Sequence, residues 1–161
     1  MFQGDLEKLR DGVVFLTVHG AGSSFNTWLE FAGDESMEDI RKRAMFLHVS
    51  LPGQHPGAED LHSDYVFPGM EVIGAVAPLI YLQYSFQAIG LNLVTVLDHL
   101  RVKQIVGLGD GVGANIILRF AMNHPGRVLG VLAINTEGVG TAGYKEIIMV
   151  SFEPTYTQSS V

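Results

Sequence analysis

The sequence predicts an α/β fold in which helices cover a mostly parallel sheet. Apolar runs rich in β-branched residues recur along the chain, and such runs are typical of strands buried on both faces. Stretches with helical spacing of apolar residues lie between them, and this alternation favours parallel strands joined by right-handed crossovers. The predicted strands are Val13–Val18, Ala44–Val49, residues 104–109 and residues 127–134.

The first predicted strand leads into a loop rich in glycine and serine at residues 19–24. A short helix is expected at residues 36–40, where Ser36 can cap the N-terminus and Asp39 occupies the capping-box position. The second strand precedes residues 51–57, whose prolines and glycines break any regular period and therefore predict a loop.

The second half of the chain repeats the strand and helix alternation. Residues 91–100 fit an amphipathic helix, and residues 113–123 fit a helix that directly follows a strand. Residues 147–150 are the candidate for one more strand. We expect that strand to be short and to lie at an edge of the sheet, because Pro154 follows it.

Composition narrows the class of protein. The chain has 161 residues, enough for a single domain, and is 47% hydrophobic and 17% charged, which suits a buried core. The net charge of −7 argues against a nucleic-acid partner, since phosphate contacts need clusters of Lys and Arg. The absence of cysteine excludes disulfides and thiolate nucleophiles. We expect a cytoplasmic protein, because the chain is acidic and free of cysteine. No signal peptide is expected, since the N-terminal residues lack its apolar segment.

One uncharged stretch, residues 72–97, is long enough to cross a bilayer. It contains Pro78, Gln83, Gln87 and Asn92, whose polar groups would be costly in hydrocarbon. The sequence therefore predicts a buried or inserted segment here, and we do not expect insertion into a membrane.

The most informative segment is residues 107–113 (GLGDGVG), between a predicted strand and a predicted helix. As a dinucleotide-binding fingerprint it would place Gly109, Gly111 and Ala114 in G-x-G-x-x-A spacing. That motif normally follows the first strand of its fold, whereas other predicted strands precede this one. A P-loop is excluded because no Gly-Lys-Ser/Thr follows.

The same segment resembles the nucleophile elbow G-x-S-x-G, a strand-to-helix turn that presents a catalytic serine. In this alignment Gly107 and Gly111 are the flanking glycines, and Gly109 stands at the nucleophile position. A glycine cannot form an acyl-enzyme. Asp110 is a conceivable carboxylate nucleophile, one residue away from that position. Alternatively, the segment is a plain tight turn in which Asp110 complements the dipole at the helix N-terminus.

Histidines are the other candidates for chemistry. His19 and Gly20 follow the first strong strand, where hydrolases of this type place an oxyanion loop, but the commoner role of such a histidine is to hold loop backbone. His48 lies within a strand and is expected to be a hydrogen-bonded core residue. An acidic stretch with histidines does not match the spacing of a metal site, so no metal is expected; its residues are His55, Glu59, Asp60, His62 and Asp64.

Several segments together resemble the N-myc downstream-regulated family. They include residues 48–54 (HVSLPGQ) and 105–116 (IVGLGDGVGANI), and the shorter matches lie at residues 2–7, 16–19, 66–68, 93–98, 119–121 and 124–125. The resemblance implies an α/β-hydrolase fold of three layers without a working catalytic triad. It also implies a cytoplasmic protein that acts in signalling, stress response, growth or differentiation.

The chain departs from the family pattern at three points. Residues 71–87 look inserted, because removing them restores the family's register. Members of the family are about twice as long, so the C-terminal half of the fold is expected to be missing. Residues 147–161 show no family match and are expected to form a divergent tail after a partial domain at residues 1–146. These features predict a truncated or alternative product that can self-associate through its incomplete sheet.

The function predicted from the sequence is that of a non-catalytic, hydrolase-like protein that works through protein partners. No cofactor is expected. The alternative is a hydrolase of small esters with an unusual nucleophile. The residue at the turn decides between them, because only a side chain that can attack a carbonyl would restore hydrolysis.

Overall fold

Parallel strands form the centre of the sheet, as the sequence predicts. A computed structural model describes residues 1–3, 12–51, 53–60, 62, 86–136 and 147–151. In the described residues the sheet has six strands in the order β1-β3-β2-β4-β5-β6. The strands are β1 (Phe2–Gln3), β2 (Val13–Val18), β3 (Ala44–Val49), β4 (Ile105–Asp110), β5 (Val128–Ile134) and β6 (Ile147–Ser151).

Strands β3, β2, β4 and β5 are parallel, whereas the outer strands run antiparallel to their neighbours. Strand β1 pairs with β3, an edge that the sequence did not reveal. Strand β6 pairs with β5 and confirms that residues 147–150 form a strand at the edge of the described sheet. Strand β1 is thus the one strand of the described sheet that the sequence did not predict.

Helices cover both faces of this sheet. The α-helices are α1 (Phe25–Gly33), α2 (Glu38–Arg41), α3 (Phe86–His99) and α4 (Val112–Asn123). The larger core cluster joins the central strands to α3 and α4; its largest fully buried side chains include Phe120, Ile116 and Leu97. A smaller cluster on α1 and the strands comprises Trp28, Ala32, Phe46 and Leu108. The three-layer arrangement follows from burial of the sheet on both faces.

Helix α1 was not predicted, and the capping residue expected for the next helix was wrong. Ser24 caps α1, because its side chain accepts a hydrogen bond from the Asn26 amide. A 3₁₀ turn at Glu35–Met37 precedes α2. The N-cap of this 3₁₀ turn is Asp34, whose carboxylate accepts a hydrogen bond from the Ser36 amide at 2.9 Å. Ser36 is therefore the donor to the cap and not the cap itself.

Several sequence predictions fall outside the described residues. Of the proposed insert at 71–87, only Phe86 and Gln87 are described, and they begin helix α3, which was expected to start at residue 91. The proposed domain boundary at residue 146 also lies outside the description, so that division stays a prediction. Among the described residues no helix has the length and apolar character to cross a membrane.

Candidate functional site

The turn between β4 and α4 has the strained backbone of a nucleophile elbow. The strand ends at Asp110, the helix begins at Val112, and Gly111 between them has φ 53° and ψ −117°. A side-chain-bearing residue rarely adopts a positive φ of this kind outside strained functional turns. The turn residue is therefore Gly111, and the assignment of Gly109 to the nucleophile position was wrong by two residues. With either glycine, no side chain is available for attack.

The glycines on each side of the apex are required by close packing. A Cβ atom at Gly109 would overlap the backbone of Ala114, and one at Gly113 would overlap the Val18 carbonyl. These contacts are with backbone and cannot be relieved by a change of rotamer. Gly109 and Gly113 therefore let α4 pack directly against the strands, which is the geometry that an elbow needs.

His19 lies buried on the loop that follows β2. Its Nε2 accepts a hydrogen bond from the Leu51 amide at 3.1 Å, and its Nδ1 lies 2.9 Å from the Gly20 carbonyl oxygen, to which it donates. These bonds require a neutral ring protonated at Nδ1. Burial lowers the pKa of His19 and favours the same neutral form. The prediction that His19 holds loop backbone is confirmed, and neither ring nitrogen is left to act as a base.

Asp110 is half-buried at the end of β4. Its Oδ1 accepts a hydrogen bond of 2.9 Å from Nδ2 of Asn135, which follows β5 and has a φ of 48°. Across from it, a Cβ atom built at Gly20 would lie 3.1 Å from Asp110 Oδ2. Gly20 thus makes room for this carboxylate. The sequence did not single out Asn135, because its partner is distant in the chain.

A cavity of about 190 Å³ opens beside this carboxylate. We call it the elbow cavity; the described residues that line it are His19, Gly20, Ser23, Thr27, Trp28, Phe31, Asp110 and Ile134. The Trp28 and Phe31 rings meet edge to face, with centroids 5.6 Å apart. Within the described part of the chain, the buried Nε1 of Trp28 has no hydrogen-bond partner. The structure therefore brings His19, Gly20 and Asp110 together with an aromatic wall from α1 that the sequence analysis missed.

His48 belongs to a different part of the sheet. It is 3% exposed, its Nδ1 lies 2.8 Å from Thr17 Oγ1, and its Nε2 donates to Gln3 Oε1 at 3.2 Å. Burial, together with the nearby N-terminal ammonium group, lowers the pKa of His48 to about 4. The expectation of a hydrogen-bonded core histidine is confirmed.

The described residues contain no group of at least three His, Cys, Asp or Glu side chains that could hold a metal ion. Of the acidic stretch considered above, Asp64 lies outside the description. At the elbow, the Asp110 carboxylate precedes the N-terminus of α4, where a dinucleotide would place its pyrophosphate. Repulsion between these negative charges favours the elbow over the dinucleotide interpretation.

A sequence model described as the Ndr family matches residues 1–159, so the expectation that residues 147–161 show no family match was wrong for residues 147–159. The chain is 36% identical over 144 residues to an uncharacterized Caenorhabditis elegans protein, ZK1073.1, covering 89% of this chain and 38% of that protein. It is 33% identical over 126 residues to Protein NDRG1 of Xenopus tropicalis, covering 76% of this chain and 27% of the relative. The chain thus spans well under half the length of these relatives.

Solved structures share the fold at lower identity. A carboxylesterase of Nitrososphaera gargenis superposes with a TM-score of 0.55 at 20% identity, covering 85% of this chain and 40% of the esterase. A probable hydrolytic enzyme of Pseudomonas aeruginosa gives a TM-score of 0.57 at 22% identity, covering 81% of this chain and 35% of that enzyme. The sheet and helices described above are accordingly part of an α/β-hydrolase fold.

Proposed function

This chain belongs to the Ndr family, and we propose that it is a non-catalytic α/β-hydrolase-like protein that acts through protein partners. The observation that carries the proposal is the glycine at the elbow apex. Gly111 has the backbone of a nucleophile position, with no side chain to form a covalent intermediate.

The surroundings of the apex support the same conclusion. Gly109 and Gly113 have no space for a side chain, so a nucleophile cannot have moved to either position. His19 lines the cavity beside the elbow, where a general base would be needed. Both of its ring nitrogens form hydrogen bonds with loop backbone. A base must be within hydrogen-bond reach of the proton it removes, and His19 has no free nitrogen for this.

The cellular role is proposed from the family. We extend to this chain the roles in signalling, stress response and differentiation, and the cytoplasmic location, that the resemblance implies. Self-association is part of the same proposal, since β1 and β6 are the edges of the described sheet, and the outward backbone groups of an edge strand can pair with a second chain.

An activity assay tests the non-catalytic part. The purified chain should hydrolyse short p-nitrophenyl esters no faster than a heat-denatured sample, and it should not react with a fluorophosphonate probe of nucleophilic serines. Turnover that remains through purification and follows the protein peak would contradict the proposal.

The partner role needs a separate test. Cross-linking of the tagged chain in cells, followed by reconstitution of the main cross-linked pair from purified proteins, should give a complex of fixed stoichiometry. A chain that runs free in lysate and forms no such complex would contradict this part alone.

An ester hydrolase with a carboxylate nucleophile is the alternative, and one observation favours it. Asp110 borders a cavity in a fold whose solved relatives include carboxylesterases. Asp110 is adjacent to the apex and not at it, so the turn does not hold its carboxylate in the position of a nucleophile. Ester turnover that disappears in Asp110→Asn would establish this alternative.

A further inference from the structure

No described residue that lines the elbow cavity carries a full positive charge to pair with the Asp110 carboxylate, and the N-terminus of α4 beside it supplies only the partial charge of the helix dipole. Asn135 is the hydrogen-bond partner of Asp110 in that part of the chain, and Asn135 is neutral. No Lys or Arg is among the described lining residues, and His19 is held in its neutral form. A partly buried carboxylate without a counter-charge is costly, and a cationic ligand would relieve that cost.

The opposite wall of the cavity also suits a cation. Trp28 and Phe31 from α1 line it with two aromatic rings, and aromatic faces attract ammonium groups. A carboxylate and an aromatic wall thus meet in one small space.

The size of the cavity limits the ligand. At about 190 Å³ it exceeds the roughly 150 Å³ engineered cavity that is known to hold benzene. It is open to solvent on one side and has room for one ring and a short polar arm.

From these observations we infer that the elbow cavity binds a small organic ammonium compound. The ammonium group donates to Asp110 Oδ2, and the apolar body packs on Trp28 and Phe31. Anionic ligands are disfavoured by the same carboxylate. The inference concerns ligand binding without a chemical step, and it does not depend on the proposed role through protein partners.

Three probes of the same shape test the inference: benzylammonium, benzyl alcohol and benzoate. Binding to the whole chain is measured by ligand-observed NMR and calorimetry near neutral pH. Benzylammonium should bind with a dissociation constant on the order of 1 mM or below. Benzyl alcohol should bind at least about tenfold more weakly, since it lacks the charge, and benzoate should not bind.

Variants assign the binding to this site. Asp110→Asn keeps the shape of the side chain and should weaken benzylammonium binding at least about tenfold while leaving benzyl alcohol unchanged. Glu30→Gln is the matched control, because it removes the same charge from an exposed position of α1 and should change nothing.

Three results would overturn the inference. They are absence of benzylammonium binding, equal or tighter binding of benzyl alcohol or benzoate, and binding that Asp110→Asn leaves intact. If Asp110→Asn does not fold, as judged by circular dichroism, the order of the three probes on the unmodified chain decides.

Discussion

The elbow turn and the elbow cavity lie side by side, yet they are built in opposite ways. At the turn, Gly109 and Gly113 press against backbone, and no additional atom fits. In the cavity, open space is bordered by the Asp110 carboxylate and by the rings of Trp28 and Phe31. The elbow turn is closed by packing, whereas the elbow cavity is open and is bordered by a carboxylate and aromatic rings.

This contrast separates two features of a hydrolase fold, namely the packed backbone of the elbow and the side chains that perform chemistry. The backbone of the elbow depends on helix-to-strand packing and would persist whether or not a nucleophile is present. The side chains that perform chemistry are not needed for that packing, so Gly111 can replace a nucleophile without disturbing the turn. What remains is a shaped space with a carboxylate beside it, which is suited to binding.

The largest expected effect is at the closed region. Gly113→Ala should destabilise the chain by more than about 3 kcal/mol, because its Cβ would overlap the carbonyls of Val18 and His19. Gly126→Ala is the control, since a Cβ there meets nothing within 4 Å. Urea unfolding of both variants measures the difference. Similar stability of the two would show that α4 can move away from the strands, and the contrast between the regions would disappear.

The next largest effect is a loss of folding stability at low pH, which the buried histidines cause. His48 has a pKa of about 4 in the folded chain against 6.5 for the free side chain, so the unfolded state binds a proton first as the pH falls. Stability is therefore full above about pH 6.5 and declines as the pH approaches 4, by up to about 3 kcal/mol for His48. The lowered pKa of His19 acts in the same direction.

Unfolding free energies measured over that pH range check this prediction. His48→Gln should flatten the decline, whereas His99→Gln, at an exposed position of α3, should leave it unchanged. A decline of the same size in His48→Gln would assign it to His19 or to carboxylates, and the elbow side would then be the acid-sensitive region.

The sequence predicted the central sheet because its strands are continuous apolar runs buried on both faces. It missed β1, which spans two residues and exists through its pairing with β3. Helix α1 was missed even though Ser24 is a recognisable cap. These failures concern elements that depend on tertiary contacts more than on local pattern.

Part of the candidate site could be predicted, because the glycines of the elbow motif lie close together in the sequence. Glycines at 107, 109, 111 and 113 fit the elbow motif in more than one register, and only the end of β4 shows that Gly111 is the apex. The aromatic wall could not be foreseen, since Trp28 and Asp110 are far apart in the sequence and come to line the same cavity only in the folded chain.

A moderate effect is expected at the apex itself. Gly111→Ser should fold and lose about 1–2 kcal/mol, the strain of a side chain at a φ of 53°. It should remain inactive on p-nitrophenyl acetate, because His19 has no free ring nitrogen to activate the new hydroxyl. Ester turnover by this variant would show that a base is available, and that the missing nucleophile alone separates the chain from a hydrolase.

The smallest effect is expected in the open region, from Asp110→Asn. An asparagine at 110 can keep the hydrogen bond with Asn135, because its carbonyl oxygen accepts from Nδ2 as the carboxylate does. The substitution also removes a partly buried charge that has no counter-charge among the described lining residues. These terms oppose each other, so the free energy of unfolding should change by no more than about 0.5 kcal/mol. Calorimetry of the variant beside Glu30→Gln measures it. A loss of several kcal/mol would mean that Asp110 holds the turn after β5, and the carboxylate would then belong to the closed, structural region.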